Sequence, residues 1–263
     1  TSNEYGFEYF IATIEFLASR YSDNNFSKGF VSNYIIGNEI DYAKDYNRIS
    51  EKQASLDTYM EEYSRAMRLT NLAVKKYNSN ISVAIPVTQA WAKRGYEFIG
   101  NDVQAYAPKQ MIDWLNTKTK MEGDYNWGIA PHVYGYHLPQ AGVYYLDTLQ
   151  SSNGGKGQGM TNNFETSKLT FSNLELLDDY LNQESMKVNG QTRNVYLTES
   201  GVSSFWNDQD YGGLDIQAGI IASVYYKISQ LDTVKSFCYY RAIDNVAEIE
   251  SHALFGLLKQ TSE

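Results

Sequence analysis

Apolar residues recur along this chain in two alternating rhythms. From residue 4 to 21, Phe7, Phe10, Ile11, Ile14, Leu17, Ala18 and Tyr21 return at steps of three and four, which predicts a helix with one apolar stripe. A polar, glycine-containing stretch over 22–30 breaks that period. The run YIIGNEID (Tyr34 to Asp41) then reads as a first strand reaching Glu39. A second helix is expected over 56–77, with Ser55 as its N-cap and Tyr59, Met60, Tyr63, Ala66, Met67, Ala73, Val74 and Tyr77 on its buried face. ISVAIPV (Ile81 to Val87) is a continuous apolar run, the mark of a strand covered on both faces, and Pro86 places its end nearby.

The alternation continues. A helix over 108–119 takes Pro108 in its first turn. WGIAPHVYG (Trp127 to Gly135) predicts a third strand, and residues 172–185 a helix buried through Leu174, Leu177, Tyr180 and Leu181. VYLTES supplies a fourth strand. A helix over 215–231 is expected to bury Ile220, Ile221, Val224, Tyr225, Ile228 and Leu231, and VKSFCYY (Val234 to Tyr240) is a fifth strand. Between these elements the segment 151–163, SSNGGKGQGMTNN, reads as a flexible surface loop. Strands alternating with helices imply a parallel sheet with right-handed crossovers. An open doubly wound sheet and a (β/α)8 barrel both fit; five strands fall short of eight, so a barrel reading makes the chain a single incomplete domain over 1–263.

Composition narrows the function. A hydrophobic fraction of 43% suffices for a core, which argues against disorder. The net charge of −9, with no basic patch, repels phosphate backbones and anionic lipid, so neither nucleic acid nor a membrane surface is an expected partner. No run of ~18 apolar residues predicts a membrane span, and no basic segment followed by an apolar one marks a signal peptide at the N-terminus. The single cysteine, Cys238, permits no internal disulfide and is expected to be a small buried residue. His132, His137 and His252 lie outside any zinc-ligand spacing, and neither GxGxxG nor GxxxxGK occurs. No metal or organic cofactor is expected.

The chemistry concentrates in two glutamates. Glu39 and Glu199 each close an apolar strand-like run, and parallel strands would bring both to one face of the sheet. A charged group ending a buried strand is costly unless it faces a cleft or finds a partner; for Glu39 the plain alternative is a pair with Lys44 or Arg48. Paired carboxylates are the machinery of glycoside hydrolysis. Gly201 permits a sharp exit turn after Glu199. His132 and Tyr134 end the third strand, and Gln89 and Trp91 follow the second. Trp206 follows Glu199 by a short loop; either tryptophan would stack on a sugar ring or pack in the core. Arg241 and Asp244 follow the last strand, where a mutual ion pair is the plain reading, and Glu248 and Glu250 beyond them read as solvated.

Asn38-Glu39 at one strand end, a second glutamate three strands later, and His132-Val133-Tyr134 between them resemble clan A of the glycoside hydrolases, whose Asn-Glu pair follows strand 4 and whose nucleophile follows strand 7. The segment YYRAIDNVAEIESHALFGLL resembles a poorly characterised branch of glycosidase-like domains. The resemblance implies a partial barrel of strands 4–8, with Glu39 as acid/base and Glu199 as nucleophile. It further implies that Asn38 holds the sugar 2-hydroxyl, that Tyr134 hydrogen-bonds the nucleophile, and that a carbohydrate is cleaved with retention. It departs from the clan in lacking strands 1–3. Exposed sheet edges would follow, and with them self-association or a missing N-terminal segment that completes the barrel.

Overall fold

In the computed structural model, residues 3–22, 27–43, 54–95, 105–134, 161–206 and 209–258 are described. The elements run α1 (Glu4–Tyr21), β1 (Asn33–Ile35), α2 (Leu56–Lys75), β2 (Ser82–Val87), α3 (Pro108–Glu122), β3 (Trp127–Pro131), α4 (Glu175–Leu181), β4 (Val195–Ser200), α5 (Leu214–Ile228), β5 (Val234–Tyr239) and α6 (Val246–Ile249). All neighbouring strands pair in parallel, in the order β1-β2-β3-β4-β5. A doubly wound sheet reverses its strand order at a switch point. This sheet never does, and it curls as an arc of a (β/α) barrel.

The two faces of the sheet divide the labour. Val83, Ile85, Val87, Trp127, Ile129, Val195 and Leu197 face the helices and form one core with Met60, Met67, Met111, Ile112, Leu115 and Leu177. The other face carries small residues, Ala84 and Ala130, with Tyr196 laid across them. The Tyr196 hydroxyl lies 2.8 Å from Ser82 Oγ, so its ring spans from β4 to β2 over Gly128, where a Cβ would approach the ring to 2.7 Å. Glycine at 128 is thus required by that ring and by Asn194 O on the approach to β4, which a Cβ would also meet at 2.7 Å.

Local signals account for most element boundaries. Ser55 caps α2 by accepting from Thr58 N–H at 3.1 Å, and Asn3 caps α1 by accepting from Gly6 N–H at 2.8 Å. Pro108 opens α3. α4 is shorter than its pattern suggests, because residues 170–173 form side-chain turns in which Asn173 accepts from Thr170 N–H. Tyr77 falls outside α2 and is exposed.

Three expectations fail at the two ends of the sheet. β1 is only three residues long, so Glu39 lies beyond it rather than closing it. α5 buries Val224 and Gln217, while Tyr225 is exposed and Ile220, Ile221, Ile228 and Leu231 are half-buried. Cys238 is exposed, not buried. The cause is shared: β1 and β5 are the edges of the sheet, and among the described residues each pairs with one neighbouring strand only. Likewise only Ala18 of the α1 stripe is fully buried, against Val74 and Ile81. Among the described residues no helix is long and apolar enough to cross a membrane. His137, Lys44, Arg48 and most of the 151–163 loop lie outside the described residues.

Candidate active site

Glu39 is presented by a small excursion of the chain from the sheet edge. Ile36 N–H donates to Ala84 O at 3.1 Å, and Ile40 N–H returns to the same strand by donating to Pro86 O at 3.1 Å. Between these anchors Gly37 adopts φ +95° and Glu39 φ +37°, the left-handed region that a non-glycine residue occupies only at a cost. Two tyrosines of α2 hold both ends of the excursion. Tyr63 OH donates to Ile36 O at 2.8 Å and Tyr59 OH to Ile40 O at 2.7 Å. Each such bond contributes about 1 kcal/mol. Together with the burial of Ile40 they offset the strain at Glu39.

Asp41 fixes the excursion from beneath. It is fully buried and accepts from Thr88 N–H at 2.9 Å and Thr88 Oγ1 at 2.5 Å. Burial pushes its carboxyl up to about 7; the Thr88 bonds pull the other way, and the charge of Glu39 adds to the rise.

Glu199 sits in β4, one residue before its end. Ser200 O accepts from Tyr240 N–H at 2.8 Å, which binds the end of β4 to the chain leaving β5. Gly201 serves a closer approach than a sharp turn: a Cβ there would lie 2.1 Å from Tyr240 O. β3 supplies the groups between the two acids. His132 is buried, with Nδ1 2.9 Å from Glu39 Oε1 and 3.5 Å from Glu199 Oε2. Tyr134 OH donates to Glu199 Oε1 at 2.6 Å. Burial and the Glu199 carboxylate push the Tyr134 phenol far above its ordinary range, so it stays protonated and remains a donor.

These groups line one cavity of about 530 Å³, together with Tyr42, Thr88, Gln89, Tyr240, Glu248, Ser251, Ala253 and Phe255. A carboxylate oxygen of Glu39, a ring nitrogen of His132 and a carboxylate oxygen of Glu199 all lie within 4.8 Å of one another. That triad would also offer three ligands to a cation.

The remaining expected site residues separate. Gln89 lines the cavity, and its Oε1 is buried without a hydrogen-bond partner among the described residues. Asn38 is exposed and outside the lining. Trp91 is 1% exposed; its indole N–H donates to Phe164 O at 3.0 Å and its ring meets the Tyr180 ring edge-on, so it packs rather than presenting a face to a sugar. Trp206 is half-buried in a tight turn with Gln209, also outside the lining. Arg241 pairs with Glu248 at 3.3 Å instead of Asp244, whose carboxylate accepts from Gly256 N–H and Tyr211 OH. Glu248 therefore belongs to the pocket, contrary to its reading as a solvated residue. The sequence offered no signal for Tyr42, Thr88, Ser251 or Phe255, which lie in loops without periodicity; Tyr240 could have been found as the residue leaving β5.

The match of this chain to known families is complete in length, covering residues 1–263. The chain belongs to DUF5722, a family of unknown function. No curated protein matches it. Among solved structures, the DUF5722 chain is similar to a hyperthermophilic β-glucosidase mutant (17% identity, TM-score 0.52, 95% of this chain on 55% of that one). It is also similar to a family 44 xyloglucanase from Paenibacillus polymyxa (13%, TM-score 0.52, 92% on 48%). A third is a β-glucosidase from Thermotoga maritima in complex with glucoimidazole (11%, TM-score 0.50, 96% on 62%). What these proteins share with the DUF5722 chain is a fold, a curled parallel half-barrel with helices outside it. The chain spans roughly half to three fifths of their length.

Proposed function

We propose that this chain carries the catalytic half of a glycosidase that cleaves a β-glycosidic bond with retention, using Glu199 as nucleophile and Glu39 as acid/base. The observation that carries the reading is the approach of the two carboxylates, with oxygens within 4.8 Å. Retaining enzymes hold their carboxyls ~5–5.5 Å apart, whereas inverting ones need ~6.5–9.5 Å to admit a water.

The roles follow from the partners. Glu199 receives a hydrogen bond from Tyr134, which orients one oxygen and leaves the other to attack the anomeric carbon. The C–O bond to the leaving group breaks as the Glu199–carbon bond forms, and Glu39 gives its proton to the departing oxygen. Glu39 then takes a proton from water, which displaces Glu199 from the sugar. His132, within reach of both acids, keeps them in register. Gln89, which lines the same cavity, supplies a side-chain amide for a sugar hydroxyl.

Hydrolysis of a panel of aryl β-glycosides tests this. Turnover of at least one is expected, with a loss of ~10³-fold or more in Glu199→Ala, while the circular dichroism spectrum is unchanged. Equal rates in the variant would refute the assignment. A second reading, sugar binding without turnover, is favoured by one observation: among the described residues only five strands surround the cavity. Glycoside binding with no turnover of any panel member would establish it.

A further inference from the structure

Glu248 is the third carboxylate of the pocket, and the loop after β5 is folded around it. Asn245 caps α6 by accepting from Ala247 N–H at 3.1 Å. The carbonyl of Glu248 accepts from Ser251 N–H at 3.0 Å, Ser251 Oγ at 2.9 Å and Ala253 N–H at 3.0 Å. Ser251 and Ala253 line the same cavity.

The side chain is held as firmly as the backbone. Oε1 accepts from Tyr240 OH at 2.6 Å and Oε2 from Arg241 Nη1 at 3.3 Å; that same Nη1 donates to Tyr240 OH at 2.8 Å. Burial, then the bond to Glu248, push the Tyr240 phenol up, so it remains a donor at neutral pH. The Tyr240 ring packs on Phe255, which also contacts the Tyr134 ring, so the Glu248 cluster and the nucleophile's partner share one aromatic wall. A carboxylate has about four acceptor sites. Two are used here, and Glu248, 28% exposed, lines the cavity with the rest.

The charge of the wall points to the ligand. The described lining holds Glu39, Glu199 and Glu248 and neither lysine nor arginine. Arg241 lies outside the lining and donates to Glu248 through Nη1. Recognition of a carboxylate or sulfate calls for a facing arginine or lysine; this wall presents acceptors.

We infer that Glu248, braced by Tyr240 and Arg241, is the specificity-determining residue of the pocket, accepting hydrogen bonds from the hydroxyls of an uncharged sugar and disfavouring uronic acids and sulfated sugars. The inference rests on the glycosidase reading of the site and adds the class of sugar to it. Calorimetric titration of the full chain with methyl β-glycosides and the matching methyl β-glycuronides tests it, repeated on Glu248→Gln. The neutral member of a pair is expected to bind ~10-fold or more tightly than its glycuronide. In Glu248→Gln that preference should fall to ~3-fold or less as Glu248's share of the repulsion is removed, the part due to Glu39 and Glu199 remaining. The wild-type ratio stands on its own should the variant fail to fold. Equal or tighter binding of the glycuronide, or an unchanged ratio in a folded variant, would overturn the inference alone where Glu199-dependent hydrolysis persists. Absence of binding to any glycoside, with no hydrolysis, would overturn it together with the reading beneath it.

Discussion

Asp41 shows how much of this site is decided one residue at a time. Its carboxyl is fully buried two positions after the proposed acid/base, and two bonds from Thr88 do not outweigh the cost of charging it there. The folded pKa, about 7, lies above the ordinary value of 3.8, so between those pH values the folded chain binds more protons than the unfolded one. The stabilisation is complete below about pH 4 and is lost as pH rises through 7, by up to ~1.4 kcal/mol per pH unit. Asp41→Asn keeps the shape and removes the titration. Urea unfolding of the two proteins should therefore agree near pH 4, with the variant the more stable at pH 8. Parallel pH profiles would contradict the assignment. The positions of His132 and Tyr134 just past β3 were legible from the sequence as a strand end, and the fold brings Tyr134 OH to 2.6 Å and His132 Nδ1 to 3.5 Å from Glu199. Trp91 was not, since a position just past a strand does not reveal which side of the next loop is covered; burial by Phe164 and Tyr180 decides it.

Among the elements, what could be read was what is local. Ser55, Pro108 and the unbroken apolar run of β2 act within a few residues, and the structure honours each. The β1 excursion was hidden because its determinants are distant: Ala84 and Pro86 on the neighbouring strand, and Tyr59 and Tyr63 on the following helix. Gly201 teaches the same lesson from the other side of the pocket. Glycine there suggests a turn, yet its function is to let Tyr240 O approach where a Cβ would sit at 2.1 Å. Gly201→Ala must push apart the ends of β4 and β5, which carry Glu199 and Tyr240. A loss of ~2 kcal/mol or more in chemical denaturation is expected; a loss below ~0.5 kcal/mol would mean that the two chain segments separate freely.

The described strands form an arc rather than a closed barrel. Tyr196 packs across Ala84 and Ala130 on its inner face, and the five-strand arc gathers Glu39, His132 and Glu199 at one end. The flanks are less finished. Tyr5, Tyr9 and Phe16 on α1 and Tyr225 and Tyr226 on α5 are exposed beside the two sheet edges. Apolar helix faces next to open edges favour association, so sedimentation velocity of the isolated chain should show species larger than the 29.9 kDa monomer at micromolar concentration. A sharp monomer boundary across that range would count against it. The sequence could foretell five strands and their shared face, but not the exposure of Cys238 or the outer side of α5, because edge status depends on which other elements are present.

Proton NMR of the first-formed product reads the stereochemistry of cleavage directly. With the aryl β-glycoside that the chain turns over fastest, the closely spaced Glu39 and Glu199 predict that the β-anomer of the free sugar appears first and the α-anomer only later, by mutarotation. Initial release of the α-anomer would contradict the double displacement.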